Sequence, residues 1–231
     1  MKIGVSIDNV LRDYFGQIEN TFQKYFANED DEPIEVKDYD LEKWVIFPEE
    51  EITQAELEFN PEFNEDTFFE SEEETKLLSV KKKVTLEEFM YEKCTLEIFG
   101  YANEVVSSAV ETLNNLILEN PEHEFIIITR EGGLSIPSTL FFLSKTKSMC
   151  PNIKFVTEYE KVWDYVDVMI TDHPTIISTK PKEKVCVKIE KEHNKLMIQP
   201  NLVIKTIKEI DDSFIKSIQN ILVEEKGDWV L

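Results

Sequence analysis

A stretch two-thirds of the way along the chain, Asp167-Val-Met-Ile-Thr-Asp172-His-Pro, runs from apolar side chains straight into polar ones and then a proline. It reads as a central parallel strand that presents Thr171 and Asp172 at its carboxyl end, where open α/β sheets bind their ligands. Other strand-like runs end in related groups. Ser6 and Asp8 follow the first apolar run, Thr129 closes a second, and Lys161 lies a short way before the opening stretch. Two carboxylates, three hydroxyls and one amine could do acid–base or metal chemistry together only if one sheet edge gathers them.

The pattern of apolar residues supplies such a sheet. Lys2–Ile7, Phe125–Thr129, Ile153–Val156, Val166–Ile170 and Lys184–Ile189 read as five strands, and Leu202–Ile204 as a further edge strand. In the fifth, Val185, Val187 and Ile189 alternate with Cys186 and Lys188. Helical spacing appears between the strands. Leu11, Tyr14, Phe15, Ile18, Phe22, Tyr25 and Phe26 share one face of Val10–Phe26. Thr85-Leu-Glu-Glu88 is a capping box that starts a helix to about Tyr91, and Asn103 is the expected cap of a helix to Glu119. Ser135-Ile-Pro137 opens another, a brief helix covers Tyr159–Tyr165, and Asp211-Asp-Ser begins the last. Alternating strands and helices imply a parallel sheet with right-handed crossovers.

Residues 27–84 break this rhythm. Pro33, Pro48 and Pro61 interrupt an acidic stretch that interleaves Tyr39, Trp44, Phe47, Phe59, Phe63, Phe68 and Phe69. Of the net charge of −22 over 231 residues, residues 29–74 alone carry −18, with 20 acidic groups against Lys37 and Lys43. This field repels phosphate backbones and argues against direct nucleic-acid binding. The segment reads as an insertion of short elements whose aromatics pack on residues 1–26 and 85–231. Its functional reading is a docking arm for a basic protein partner, with carboxylates steering and aromatics anchoring. Lys81-Lys82-Lys83 balances the field and is too short for a nucleic-acid patch. No apolar run is long enough to span a membrane, and the chain opens on a strand rather than a signal peptide. Cys94, Cys150 and Cys186 fit neither zinc spacing nor a disulfide framework, which points to a reducing, cytoplasmic setting.

Ser6-Ile-Asp8, Thr129, Lys161 and Thr171-Asp172, taken in this order, resemble the four motifs of the haloacid dehalogenase-like (HAD) superfamily, in particular its compact 5′(3′)-deoxyribonucleotidase branch. The resemblance covers residues 1–26 and roughly 98–192. It implies a Rossmann-like parallel sheet of about five strands flanked by helices, with the acidic insertion in the cap position. Ser6 then stands where the family has its nucleophilic aspartate, Asp8 at the general acid–base and Asn9 at a glycine. Thr129 stands at the phosphate-binding hydroxyl and Lys161 at the charge-balancing lysine. Thr171 and Asp172 occupy the acidic pair that helps hold magnesium. Two carboxylates are therefore replaced by hydroxyls, and a hard divalent cation prefers the carboxylates. Ser6 would also need a neighbouring base to become a nucleophile, and only Asp8 is close in sequence.

These departures favour a catalytically degenerate HAD-like protein acting by binding, structure or assembly, with no metal or cofactor expected. Asp8, Lys161 and Asp172 would then form a buried ion-pair cluster bracing the sheet edge. The abundance of Lys, Ile, Asn and Phe suggests an AT-rich genome, and a phage or virion component is one form of this reading. The alternative is an atypical magnesium-dependent phosphatase or 5′-nucleotidase acting on deoxynucleotides, with Asp8 and Asp172 as metal ligands. A third reading keeps the crevice for nucleotide binding without chemistry. Each residue also has a plainer role: Asp8 and Asn9 as helix caps, Lys161 as a solvated side chain, Arg130 as a structural arginine. His123, His173 and His193 are too scattered in sequence to suggest a metal trio.

Overall fold

The computed structural model describes residues 1–27, 32–47, 49–52 and 80–227. Six parallel strands form one sheet: β1 (Lys2–Ser6), β4 (Glu124–Arg130), β5 (Asn152–Val156), β6 (Val168–Thr171), β7 (Val185–Ile189) and β8 (Leu202–Ile204). β2 (Glu49–Ile52) and β3 (Val80–Lys83) form a separate antiparallel pair, with Glu49 to Glu51 opposite Lys83 to Lys81 along the backbone. The main sheet runs β5-β4-β1-β6-β7-β8. The architecture is thus α/β and Rossmann-like, with six strands rather than about five. The difference is Leu202–Ile204, which pairs with β7 through Val187 to Ile189 and extends the edge.

This order places a topological switch between β1 and β6. The chain leaves β1 toward β4 and β5, then crosses back to lay β6 on β1's other side. Such a switch opens a crevice outside the carboxyl ends of the strands.

Side chains alternate across the sheet as a two-residue period requires. Ile3, Val5, Phe125, Ile127, Val168, Ile170, Val185 and Val187 share one core cluster. Helices α3 (Ala109–Glu119), α4 (Ser135–Lys145) and α6 (Asp212–Lys226) cover it, contributing Leu113, Leu116, Phe142, Ile215 and Ile218. Ile126, Ile128, Met169 and Cys186 face the other way, against Val162, Trp163, Ile176 and Ile177. The alternation expected for β7 is real, but Cys186 and Lys188 are both buried on that second face. Lys188 is tolerated there because its ammonium donates to the carbonyls of Asn194, Lys195 and Met197 at 3.2–3.5 Å.

A third cluster joins helix α1 (Tyr14–Tyr25) to the described part of the 27–84 segment. Ile18 and Phe22 of α1 meet Val36, Leu41, Val45 and Phe47 around the short helix α2 (Leu41–Trp44). Tyr39, Trp44 and Phe47 therefore pack on the rest of the fold, while Phe59, Phe63, Phe68 and Phe69 lie outside the described residues.

Helix starts differ locally from the sequence pattern. The capping box forms, with Glu88 N donating to Thr85 Oγ1 at 3.1 Å and Thr85 N to Glu88 Oε2 at 2.9 Å. It leads into wide π-turns over Glu88–Lys93 and Leu96–Gly100 that run beyond Tyr91. Asn103 caps nothing; its carbonyl accepts from Asp13 N, and Val105 N donates to Leu11 O, so 103–105 lies along the loop before α1. α3 starts only at Ala109, where the Glu104 carboxylate accepts from Ser108 N and Val110 N. Helix α1 likewise starts at Tyr14 behind the Asp13 cap rather than at Val10. The residues this frees, 7–13, form the turn that builds the crevice.

Candidate functional site

The crevice is assembled from the ends of β1, β4 and β6, the turn at residues 7–13, and Tyr39 from the 27–84 segment. Ser6 closes β1 and Thr171 closes β6, side by side. Both are buried, and Ser6 Oγ donates to Thr171 Oγ1 at 2.8 Å. Thr171 Oγ1 also accepts from His173 N at 3.1 Å. The two positions where the resemblance calls for carboxylates thus hold hydroxyls bonded to each other.

Past Ser6 the chain turns tightly: Leu11 N and Arg12 N both donate to Ile7 O, and Asn9 sits at a φ of 55° that asparagine tolerates better than most residues. The turn drives Arg12 inward, where its side chain is fully buried. Its guanidinium donates from Nε to Asp8 Oδ1 at 2.9 Å, and a second bond from Nη2 reaches the same oxygen. Nη2 also donates to Glu131 Oε1 at 2.8 Å, and Nη1 reaches Thr139 Oγ1 and the Phe99 carbonyl. Thr129 Oγ1 donates to the same Glu131 oxygen at 3.0 Å. Burial, with help from Glu131 and Asp172, outweighs the pull of Arg12 and pushes the Asp8 carboxyl up to about 6. One guanidinium is shared by two enclosed carboxylates, so one of them gains by taking a proton. Burial depresses the Arg12 pKa, but Asp8 and Glu131 more than offset it and hold the guanidinium charged.

Asp172 is wholly buried; a phenol, an amide and the His193 ring surround it, with His193 Nε2 3.1 Å from its carbonyl. Tyr39 Oη donates to Asp172 Oδ1 at 2.7 Å and itself accepts from Asn9 Nδ2 at 3.1 Å. Asn194 Nδ2 donates to the Asp172 carbonyl at 2.8 Å. Asp172 Oδ2 makes no hydrogen bond among the described residues; His193 Nε2 stands 3.4 Å away as an ionic neighbour. Burial lowers the His193 pKa, but the Asp172 carboxylate overrides this and raises it. His173 behaves in the opposite way: burial, with His193 and Arg130 nearby, pushes it down to about 3. Its Nδ1 accepts from Thr175 N at 3.2 Å and caps the short helix α5 (Pro174–Ser178), which requires the neutral ring. His173 also stacks on Tyr159 at 3.6 Å between centroids and lies 4.2 Å from the Tyr39 ring.

These rings fill the crevice. The space bounded by Ser6, Asp8, Thr129, Tyr39, Tyr159 and His173 is about 10 Å³, room for about one water centre. Burial raises the pKa of both tyrosines, with Asp8 and Asp172 adding to it, so they stay neutral.

Among the residues singled out by sequence, Ser6, Asp8, Asn9, Thr129, Thr171 and Asp172 converge here. Lys161 does not. It is half-exposed in a 3₁₀ turn (Tyr159–Asp164) and pairs with Glu158 at 3.0 Å. The cation beside Asp8 is Arg12 instead, so an Asp8–Lys161–Asp172 cluster is not what braces this edge. Arg130 lies over the Tyr159 ring at 5.4 Å and donates to the Thr157 carbonyl. His123 is remote, against Gln219, whereas His173 and His193 flank Tyr39 although 20 residues separate them in sequence. Arg12, Glu131, Tyr39 and His193 were not expected at the site. Only the Asp8-to-Arg12 spacing, a carboxylate four residues before an arginine, hinted at one of them.

Of the oxygens a hard divalent cation would use, Asp8 Oδ1 is taken by Arg12, Glu131 Oε1 by Arg12, Thr129 and Thr139, and Asp172 Oδ1 by Tyr39, while Ser6 and Thr171 contribute neutral hydroxyls. No helix among the described residues is long and apolar enough to cross a membrane. Comparison with models of known protein families, and with curated proteins, finds no match to this chain.

Proposed function

We propose that this chain is a catalytically degenerate HAD-like protein that acts by binding a protein partner, as a structural or assembly component. The observation that carries this reading is the Ser6–Thr171 hydrogen bond at the β1–β6 switch point. A phosphoryl-transfer site of this type needs charge there to attack phosphorus and hold a metal, and two neutral hydroxyls bonded to each other supply neither. The packed rings of Tyr39, Tyr159 and His173 support the same reading, since a crevice of about 10 Å³ has no room for a phosphate. The acidic field of residues 29–74 supports a basic partner. A phage or low-GC bacterial origin, with the protein in the cytoplasm or a virion, rests on composition alone.

The test is magnesium-dependent hydrolysis of a generic phosphomonoester and a deoxynucleotide panel. The natural protein is run beside Ser6→Asp and Ser6→Asp/Thr171→Asp. The expected result is no turnover by the natural protein, with activity emerging in a restored variant. Turnover by the natural protein that is lost in Asp8→Asn would instead establish the magnesium-dependent phosphatase or nucleotidase.

A further inference from the structure

A second, larger cavity opens on the outer side of Asp172. It measures about 630 Å³ and lies between the 35–44 segment, the start of α1 and the loop at 191–193. That volume is ordinary for a site that engulfs a side chain or small ligand. Asp172 lies on its inner wall, fully buried, with Oδ2 lacking a hydrogen bond and His193 3.4 Å away. A buried carboxylate oxygen left without a donor is costly, and a donor supplied from outside would remove that cost.

The rest of the wall has the same preference. Trp44 Nε1 donates to Asp38 Oδ1 at 2.8 Å, which fixes a carboxylate beside the indole. Lys43 Nζ stands 4.6 Å and Lys37 Nζ 5.8 Å from the Trp44 ring centroid, and both side chains are more than half exposed, so the indole already receives cations that are free to swing away. Phe15 provides a second aromatic wall. The cavity's own lysines are largely answered: Lys37 pairs with Glu35 at 3.0 Å and Lys43 stands 4.0 Å from Asp38. Asp13, Asp172 and Glu192 remain against Lys191 and His193, and the surrounding chain carries a strongly negative field.

We infer that this cavity is a binding site for an organic cation, a guanidinium or ammonium carried on a basic side chain of the partner. The inference rests on the partner-binding reading above and names the chemistry the partner presents. The incoming cation displaces Lys43 from Trp44, sits over the indole beside Asp38, and turns a donor toward the Asp172 wall.

The full-length protein is titrated with blocked tripeptides Gly-Arg-Gly, Gly-Lys-Gly and Gly-citrulline-Gly, and separately with spermidine, following the Trp44 indole N–H resonance. The expected result is saturable binding of the arginine and lysine peptides at around millimolar Kd. Citrulline, the uncharged isostere of arginine, should bind at least tenfold more weakly. Asp38→Asn on the rim and Asp172→Asn on the inner wall should each weaken the arginine peptide about three- to tenfold. Should Asp172→Asn unfold the protein, Asp38→Asn and Trp44→Leu carry the test. Equal binding of citrulline and arginine, or unchanged affinity in Asp38→Asn and Trp44→Leu, overturns the site. Saturation by spermidine with no response to either charged peptide overturns the assignment to a side chain. These outcomes do not depend on phosphatase turnover, so a failure here is distinguishable from a failure of the degenerate-enzyme reading.

Discussion

The two sides of the β1 strand end solve one problem in opposite ways. On the β4 side, Asp8 and Glu131 are held by a fully buried guanidinium, with Thr129 and Thr139 completing the ring of donors. On the β6 side no guanidinium enters among the described residues, and the ionic neighbour is His193, 3.4 Å from Asp172 Oδ2. Asp172 is held by a phenol, its backbone by an amide, and the neighbouring strand ends by two hydroxyls. The first arrangement is tied together by charge, with one guanidinium serving two carboxylates and Glu131 Oε2 left without a hydrogen bond among the described residues. The second also leaves one carboxylate oxygen unbonded, Asp172 Oδ2, but here the residue lines an open cavity. Charge pairing makes the β4 side a brace; the cavity beside Asp172 leaves the β6 side open to a ligand.

The largest effect should come from breaking the brace. Arg12→Met keeps the volume roughly constant but leaves two enclosed carboxylates without a partner. Removing one member of a buried charge cluster costs about 3–5 kcal/mol, which urea unfolding would read as a large drop in midpoint. The triple variant Arg12→Met/Asp8→Asn/Glu131→Gln should recover most of that loss, because no buried charge remains to be compensated. If the single variant unfolds at nearly the wild-type midpoint, the Arg12 guanidinium does not brace this edge.

How much of this contrast could be read in advance depends on how local its causes are. The strand ends at Ser6, Thr129 and Thr171-Asp172 were legible, because apolar runs stopping at polar residues are features of a few consecutive side chains. The parallel sheet followed from the same runs. Arg12 was not legible, because its burial comes from a turn set by Asn9 and by two amides sharing the Ile7 carbonyl. A helical reading from Val10 would leave that arginine on a surface. Tyr39 and His193 reach Asp172 across 133 and 21 residues, distances over which no periodicity carries information. Lys161 shows the converse: a plausible position in the order of motifs, yet a nearby Glu158 and solvent satisfy it better than the crevice does.

A middle-sized effect should separate the sides by their response to acid. His173 is held near 3 by burial, against about 6.5 in an unfolded chain. Below 6.5 the unfolded chain therefore takes up a proton that the folded one refuses, and stability falls as pH falls. The expected loss from this group between pH 7 and pH 5 is about 2 kcal/mol. Protonation would also remove the acceptor that caps α5. Asp8 works in the other direction. Its folded pKa of about 6 exceeds the usual carboxylate value, so its contribution is complete in acid and lost as pH rises through 6. His193, raised by Asp172, likewise contributes most below its unfolded pKa and loses that contribution as pH rises. His173→Asn keeps a cap acceptor and leaves Asp8 and His193 in place. Measured against wild type across this range, the variant should lose less stability on acidification. Parallel curves for the two proteins would mean that His173 is not held neutral by the fold.

The smallest effect should come from the bond on which the functional reading rests. Ser6→Ala removes a hydroxyl that donates to Thr171 Oγ1, leaving that oxygen still accepting from His173 N. A neutral hydrogen bond of this kind contributes about 1 kcal/mol, so Ser6→Ala should lower stability by about that much. Thr171→Val should cost more, because it also strands the His173 amide. In a double-mutant cycle the two changes should couple, with the pair costing less than the separate losses combined. Additive losses would mean that the two hydroxyls do not satisfy each other. Ser6 would then be free to find another partner, and the chemical case against catalysis at this strand end would lose its main support.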